Sequence, residues 1–197
     1  LRFQRKSFYL KRGFQNYSNR MKQPAVFIGI KKENQTRQTL RRELIGKSNE
    51  ALSSSKRSIF ALHRGDFEVA KKLLQEAEKT FVICESRFKK FPDLEYEGAY
   101  GAALEEYAEA LLFMQYLEEK PLGKIDARAM RPQAYLAGLS DTTGEIVRYA
   151  MQQVTKGNIK EVARARETVE MVIEFFLGMD FEPPRRGINA TVLFFIY

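Results

Sequence analysis

The sequence has only one histidine, His63, and only one cysteine, Cys84, among its 197 residues. A single histidine excludes sites that need two imidazoles, such as a paired Glu-x-x-His di-iron bundle or an H-E-x-x-H zinc site. A single cysteine excludes an internal disulfide and favours a reducing compartment over secretion. No stretch approaches the roughly 18 apolar residues that span a bilayer. We therefore expect a soluble, cytoplasmic protein with no membrane partner.

Acidic residues are almost absent from the first part of the chain. Residues 1–42 contain twelve lysines and arginines but one acid, Glu33, whereas the remainder contains twenty-one basic and twenty-four acidic residues. Such a basic arm attracts polyanions, chiefly nucleic acid or an anionic membrane surface. A solvated extension with no dedicated partner explains the same charge run equally well. The charge distribution alone does not choose between these two interpretations.

Three segments are distinguished by their composition. Residues 35–180 are expected to form one helical domain, because 44% of the chain is hydrophobic and its length suits a single core. Residues 1–34 are a basic N-terminal extension, which we expect to be disordered or artefactual; a transit peptide or a translated upstream stretch would have similar composition. Residues 181–197 form an atypical tail ending in an apolar run, which favours partner binding or aggregation.

The spacing of apolar residues predicts an all-α protein. A first helix is predicted with Leu40, Leu44, Leu52, Ile59, Phe60 and Leu62 on its apolar side. Gly65 should end that helix, and Asp66 is a good N-cap for the next. Long helices with short connections indicate a multi-helix bundle of mostly antiparallel neighbours. The predicted helices cover residues 35–64, 67–91, 98–119, 132–157 and 159–177.

Two pairs of acids share helix faces in the predicted bundle. Glu106 and Glu109 are three residues apart, and Asp141 and Glu145 are four apart. Small and apolar neighbours suggest that these carboxylates point inward, where they need a cation, a hydrogen bond or a raised pKa. Four such oxygen ligands suit Mg²⁺ or Mn²⁺, which can activate water beside a phosphoryl group. The spacing is a weak signal by itself, because glutamates at these intervals usually lie on solvated faces.

Two glycines interrupt the predicted helix that carries the second acid pair. Gly138 and Gly144 each cost about 1 kcal/mol of helix stability relative to alanine. A helix that keeps both glycines beside two acids suggests the close approach of another backbone or of a ligand. Tyr107 and Phe113, on the other acid-bearing helix, are expected to be core residues.

Basic residues near the acids are candidates for binding RNA phosphates. They are Lys56, Arg57, His63, Arg64 and Arg148. An acidic pocket repels RNA unless a metal and nearby cations neutralise it. Ion pairing between helices is the alternative role, and we expect His63 to be a hydrogen-bonded interhelical histidine and not a general base. No RNP-type aromatic motif is present, so recognition would be led by the backbone and tolerant of sequence.

Three motifs together resemble the translin family, and its Trax branch more than translin itself. Residues 55–64 read SKRSIFALHR, residues 106–110 read EYAEA, and residues 135–148 read YLAGLSDTTGEIVR. A Gly-Asn turn at 157–158 stands where the family has Gly-Asp. The resemblance covers about residues 40–180 and excludes the N-terminal extension and the C-terminal tail, which depart from the family pattern.

The resemblance implies an all-α bundle that assembles into a closed, octamer-like homo-oligomeric shell. It implies a Mg²⁺- or Mn²⁺-dependent endoribonuclease that cleaves single-stranded or nicked RNA in RNA processing. The family's catalytic and metal-binding acids match Glu106, Glu109, Asp141 and Glu145 one by one. A non-catalytic subunit that binds RNA or single-stranded DNA, as translin does without this acid set, is the alternative. A third interpretation is a helical scaffold whose buried acids are neutralised by arginines.

Overall fold

The computed structural model describes residues 23–125 and 130–179. The structural expectations for most of the basic extension and for the C-terminal tail therefore lie outside the described residues. The described part contains five α-helices and one 3₁₀-helix, and it contains no strand, which confirms the all-α class. The elements are α1 (Ala25–His63), α2 (Phe67–Phe88), the 3₁₀-helix (Pro92–Tyr96), α3 (Gly98–Leu117), α4 (Pro132–Val154) and α5 (Ile159–Leu177).

The largest difference from the predicted helices is the start of α1. This helix begins at Ala25, whereas the apolar pattern places its start at about Gln35. Val26, Phe27 and Ile28 in its first turns are more than half exposed, so no buried stripe marks this part of the helix in the sequence. None of the described helices is both long enough and apolar enough to cross a membrane.

The chain divides into two compact units, residues 1–42 and residues 43–197. In the first unit, the described residues 23–42 belong mainly to the N-terminal part of α1. The second unit contains the rest of α1 and all the other helices, and it holds the acid pairs and the core.

Glycines form the turns after α1 and α4, and a side-chain cap begins α5, but the predicted cap of α2 is not formed. Gly65 has φ +82° and Gly157 has φ +74°, a region that side chains with a Cβ disfavour. The Asn158 side chain caps α5 by accepting a hydrogen bond from the Glu161 backbone N–H. Asp66 makes no such capping bond, contrary to the prediction, because its carboxylate pairs with Arg64 at 3.0 Å.

Helix α3 forms the centre of the core. Half of its twenty residues are buried, and a helix that is apolar on most sides belongs inside a bundle. Tyr107 and Phe113 are 4% and 0% exposed, which confirms that they are core residues. The Phe113 ring lies 4.8 Å from the His63 ring, so α1 is anchored to α3 beside the acid pairs.

Helices α3 and α4 run in the same direction, an exception to the mostly antiparallel neighbours expected. Arg131, just before α4, lies over the Tyr100 ring, and Tyr149 further along α4 contacts Phe113 further along α3.

The two helices pack very closely, and Gly138 makes this possible. A Cβ on Gly138 would lie 2.6 Å from the Ala108 Cβ and 2.8 Å from the Glu109 backbone nitrogen. The predicted close approach of a second backbone is therefore confirmed at this glycine. Thr142, one turn further on, is fully buried and its hydroxyl donates to the Gly138 carbonyl at 2.7 Å.

We predict that Gly138→Ala destabilises the fold by about 1–3 kcal/mol, because the added methyl overpacks the contact between α3 and α4. Gly144→Ala on the same helix is the matched control, since its added Cβ would meet nothing within 4 Å. That control should gain up to about 1 kcal/mol from helix propensity. Thermal unfolding measures both, and a Gly138→Ala variant as stable as wild type would contradict the packing described here.

Candidate functional site

An open pocket of about 470 Å³ lies where α1, α3 and α4 meet. All four acids singled out from the sequence line it. The other lining residues are Lys56, Ile59, Phe60, Gly144 and Arg148. Helix α3 contributes Glu106 and Glu109, and α4 contributes Asp141 and Glu145. The two acid pairs therefore face one space.

Helix geometry explains why the two pairs meet. Residues three or four apart lie on the same helix face, so each pair projects from one side of its helix. The close parallel packing of α3 and α4 then sets those two sides next to each other. Gly144, which has open space where a side chain would be, widens the pocket between Asp141 and Glu145.

Glu109 is the most buried of the four acids, with 9% of its surface exposed. Burial and, after it, the carboxylates of Glu106, Asp141 and Glu145 together raise its pKa to about 8, while Lys56 acts in the opposite direction. Within the described residues, no side chain donates a hydrogen bond to the Glu109 carboxylate. Its negative charge is therefore poorly compensated, and a bound cation would favour the ionised form.

Glu106 has a partial counter-ion on α1. Burial raises the pKa of its carboxyl, whereas the Lys56 ammonium, with Nζ 3.5 Å from Oε2, lowers it. Lys56 remains about half exposed, so it can turn towards either the acid or a ligand in the pocket. The pair crosses from α1 to α3 at the pocket wall.

Glu145 is held by two basic side chains. His63 Nε2 pairs with Glu145 Oε2, and Arg148 Nη1 lies 3.5 Å from the same oxygen. The His63 side chain is 5% exposed, and its Nδ1 is buried without a hydrogen-bond partner among the described residues. The structure thus confirms His63 as an interhelical histidine that positions Glu145 beneath the pocket.

The predicted phosphate-binding residues are not all at the pocket. Lys56 and Arg148 line it, while His63 is buried below it. Arg57 and Arg64 are exposed but do not line the pocket, and Arg64 is engaged with Asp66. The structure therefore brings two exposed cations and one buried imidazole to the acids.

Phe60 was placed on the apolar side of α1 by the sequence pattern, and this prediction is wrong. Phe60 is 50% exposed at the pocket, whereas the preceding Ile59 is only 4% exposed. Neighbouring residues on an α-helix point about 100° apart, so these two side chains do not share one face. Two large apolar residues in succession on a helix indicate that one of them lies off the buried face. Phe60 is that residue, and the sequence analysis missed its place in the pocket.

Acids beyond the four candidates also contribute to the local charge. Glu105 precedes Glu106 and is exposed, and burial together with the charge of Asp141 raises the pKa of its carboxyl. Arg131 partly offsets this effect. The negative potential therefore extends from the pocket towards the start of α4.

The donor chemistry of the pocket suits a hard divalent cation. Oxygen ligands from carboxylates are what Mg²⁺ and Mn²⁺ prefer, and Glu109 supplies one that is buried and poorly compensated. In their present arrangement, no three His, Cys, Asp or Glu side chains in the described part of the chain are close enough to hold one ion. In this arrangement Glu106 pairs with Lys56 and Glu145 with His63.

A helical bundle with an acidic pocket between three helices is thus the class that the fold and site define. The chain matches the Translin family over residues 39–184, and it belongs to that family.

Two curated relatives agree with this assignment. A Translin-associated protein X homolog of Schizosaccharomyces pombe is 26% identical over 152 residues, covering 70% of this chain and 66% of that protein. The uncharacterised protein MJ0175 of Methanocaldococcus jannaschii is 26% identical over 146 residues, covering 73% of this chain and 64% of that protein. The chain therefore spans slightly less than two thirds of the length of either relative.

Solved structures share the fold. Apo-NeC3PO has a TM-score of 0.77 and 22% identity, over 88% of this chain and 91% of that one. AfC3PO in a complex with duplex RNA has a TM-score of 0.76 and 24% identity, over 85% of this chain and 87% of that one. At these identities the likeness establishes the translin-like fold and not an activity.

We predict that Glu109→Gln removes a pH-dependent instability. With divalent cations chelated, the Glu109 carboxyl of the unfolded wild type ionises above its ordinary pKa of 4.5, but in the folded chain it stays protonated until about pH 8. The free energy of unfolding should therefore fall as pH rises between these values, and glutamine should remove the part of this slope that Glu109 contributes.

Urea unfolding at several pH values measures the effect. The variant should be more stable than wild type at pH 8 and above, and the difference should vanish near pH 4.5. Glu170→Gln, which changes an exposed acid paired with Arg166, is the matched control and should leave the slope unchanged. Parallel curves for Glu109→Gln and wild type would contradict the burial and charge described for this carboxyl.

Proposed function

We propose that this chain is a metal-dependent endoribonuclease of the Trax type, which cleaves single-stranded or nicked RNA in RNA processing. The observation that carries the proposal is the pocket itself. Four carboxylates from two helices face one open space, and two exposed cations stand at its edge. Phosphodiester hydrolysis needs negative ligands for a cation and positive groups for the substrate, and both kinds are present.

Glu106, Glu109, Asp141 and Glu145 would hold Mg²⁺ or Mn²⁺. When bound, such a cation supplies charge stabilisation to a phosphoryl oxygen and activates water for attack. Its positive charge would also lower the pKa of Glu109 and favour the ionised carboxylate. His63 orients Glu145 from below, because its Nε2 contacts that carboxylate inside the bundle.

Lys56 and Arg148 are the residues we assign to the RNA phosphates. Both line the pocket, and each is paired with one of the acids at 3.5 Å. Once a divalent cation offsets the acids, these two side chains are free to contact the backbone of the strand. RNA binding in a related protein supports this part of the proposal, since AfC3PO has been solved in a complex with duplex RNA.

The proposal extends to a homo-oligomeric, octamer-like shell. Several large apolar side chains of α5 are about half exposed or more, and exposed apolar surface of this kind marks contact sites between proteins. They are Ile159, Met171, Phe175 and Leu177. A shell would enclose the acidic pockets and restrict access to strands that can enter it.

A non-catalytic subunit that binds RNA or single-stranded DNA is the second candidate. The contacts of Glu106 with Lys56 and of Glu145 with His63 favour it, because they give two of the acids a protein partner without a metal. In this alternative the acids have a structural role. The two candidates differ in one property, which is strand cleavage that depends on a divalent cation.

We predict that Glu106→Gln abolishes cleavage of labelled single-stranded RNA in the presence of Mg²⁺ while binding stays level or strengthens. Glutamine keeps the shape of the side chain but removes a ligand charge that also repels phosphate. Loss of a group that only supports a metal ligand costs about 10–100-fold, so loss of a ligand should cost at least as much. Cleavage is followed on gels with and without Mg²⁺, and affinity is measured by fluorescence anisotropy at several salt concentrations.

Glu170→Gln, which changes an acid far along α5 that does not line the pocket, should cleave as wild type does. Normal cleavage by Glu106→Gln would remove these acids from the catalytic centre. A wild-type chain that binds RNA but cleaves none with Mg²⁺ or Mn²⁺ would support the non-catalytic alternative.

A further inference from the structure

A half-exposed aromatic side chain lies at the edge of the acidic pocket. Phe60 is 50% exposed, and its ring lies under the Arg148 guanidinium, with 5.6 Å between the guanidinium carbon and the ring centroid. In the described part of the chain, Phe60 makes no contact with another aromatic ring. Phe113, only a short distance along the bundle, is by contrast fully buried and contacts two rings.

The Phe60 side chain is not needed to fill the core. Ile59 already provides the buried contact at this level of α1, being 4% exposed. An exposed phenyl ring is solvated poorly, and the hydrophobic effect favours covering its free face with a flat apolar group. The adjacent Arg148 adds a second planar group, and guanidinium planes also stack on nucleobases.

We propose that Phe60 and Arg148 form a stacking subsite for one unpaired nucleobase of the RNA strand whose phosphate enters the acidic pocket. This inference rests on the proposed function, because it assumes that the pocket receives an RNA phosphate. A nucleobase is separated from its own phosphate by one sugar. A phosphate beside the carboxylates therefore carries a base to the rim of the pocket, where both residues are found.

Stacking on this subsite distinguishes unpaired bases from bases stacked inside a duplex, and it does not distinguish one base sequence from another. Every base has a flat face, so stacking on an aromatic ring tolerates any base. A base that is stacked inside a duplex cannot offer its face to Phe60 without unstacking. The subsite thus selects bases in single strands, at nicks or at ends.

The first experiment measures affinity. A fluorescein-labelled single-stranded RNA of mixed sequence is compared with the same strand made of abasic ribose phosphates, with Ca²⁺ in place of Mg²⁺ and strand integrity checked on a gel. Wild type should bind the intact strand about tenfold more tightly than the abasic strand, as expected for one stacked base. Phe60→Ala should lose this preference, and Phe60→Trp should keep it.

The second experiment reports contact directly. The chain contains no tryptophan, so Phe60→Trp introduces a single indole at the subsite. Its fluorescence should be quenched by the intact strand and not by the abasic strand. Tyr96→Trp is the matched control, because Tyr96 is an exposed ring beside an arginine, Arg131, but does not line the pocket. The control should respond alike to both strands.

Any one of several outcomes would overturn the subsite. Phe60→Ala could retain the wild-type preference for the intact strand, or the indole of Phe60→Trp could respond equally to both strands. Phe60→Ala could also change the oligomeric mass by light scattering while leaving the preference intact, which would make Phe60 a subunit contact. Wild type that binds both strands equally refutes the stacking subsite alone, whereas wild type that binds neither strand refutes the proposed function as well.

Discussion

Repulsion among four carboxylates is the constraint on which the arrangement of this site depends. Glu109 has the strongest effect, because it is nearly buried and three other acids face it across the same space. Burying charge without compensation is costly, so proteins pair such groups, neutralise them or bind a cation. Here Lys56 pairs with Glu106 and His63 contacts Glu145, whereas Glu109 has no described hydrogen-bond donor. A divalent cation is the group that would compensate all four together.

The same constraint links the packing of the bundle to the chemistry of the pocket. Acids on two helices meet only if those helices approach closely, and Gly138 allows the backbone of α4 to lie against Ala108 on α3. The buried Thr142 hydroxyl also donates across this contact to the Glu109 carbonyl on α3, at 3.4 Å. Beneath the pocket, the His63 imidazole contacts both Phe113 on α3 and Glu145 on α4. This one side chain of α1 therefore connects the two helices that carry the acids. Stability and site geometry therefore depend on the same few contacts.

Features with a local cause were predictable from the sequence. Helix ends at Gly65 and Pro132 follow from backbone geometry, and the acid pairs follow from helical periodicity. Features that depend on competition between partners were not. Asp66 bonds to Arg64 instead of capping α2, and Phe60 is displaced from the core by its neighbour Ile59. The start of α1 was missed because its first turns are exposed and carry no buried stripe.

The most direct test of the acidic pocket as a divalent-cation site is an anomalous difference map from crystals equilibrated with Mn²⁺. We expect one peak among the carboxylates of Glu106, Glu109, Asp141 and Glu145, with the Lys56 and His63 side chains moved or newly hydrogen-bonded around it. Carboxylate ligands should lie at typical octahedral distances of about 2.0–2.2 Å. A map with no peak in the pocket, in which Lys56 still pairs with Glu106 and His63 with Glu145, would contradict the assignment of this pocket as a divalent-cation site.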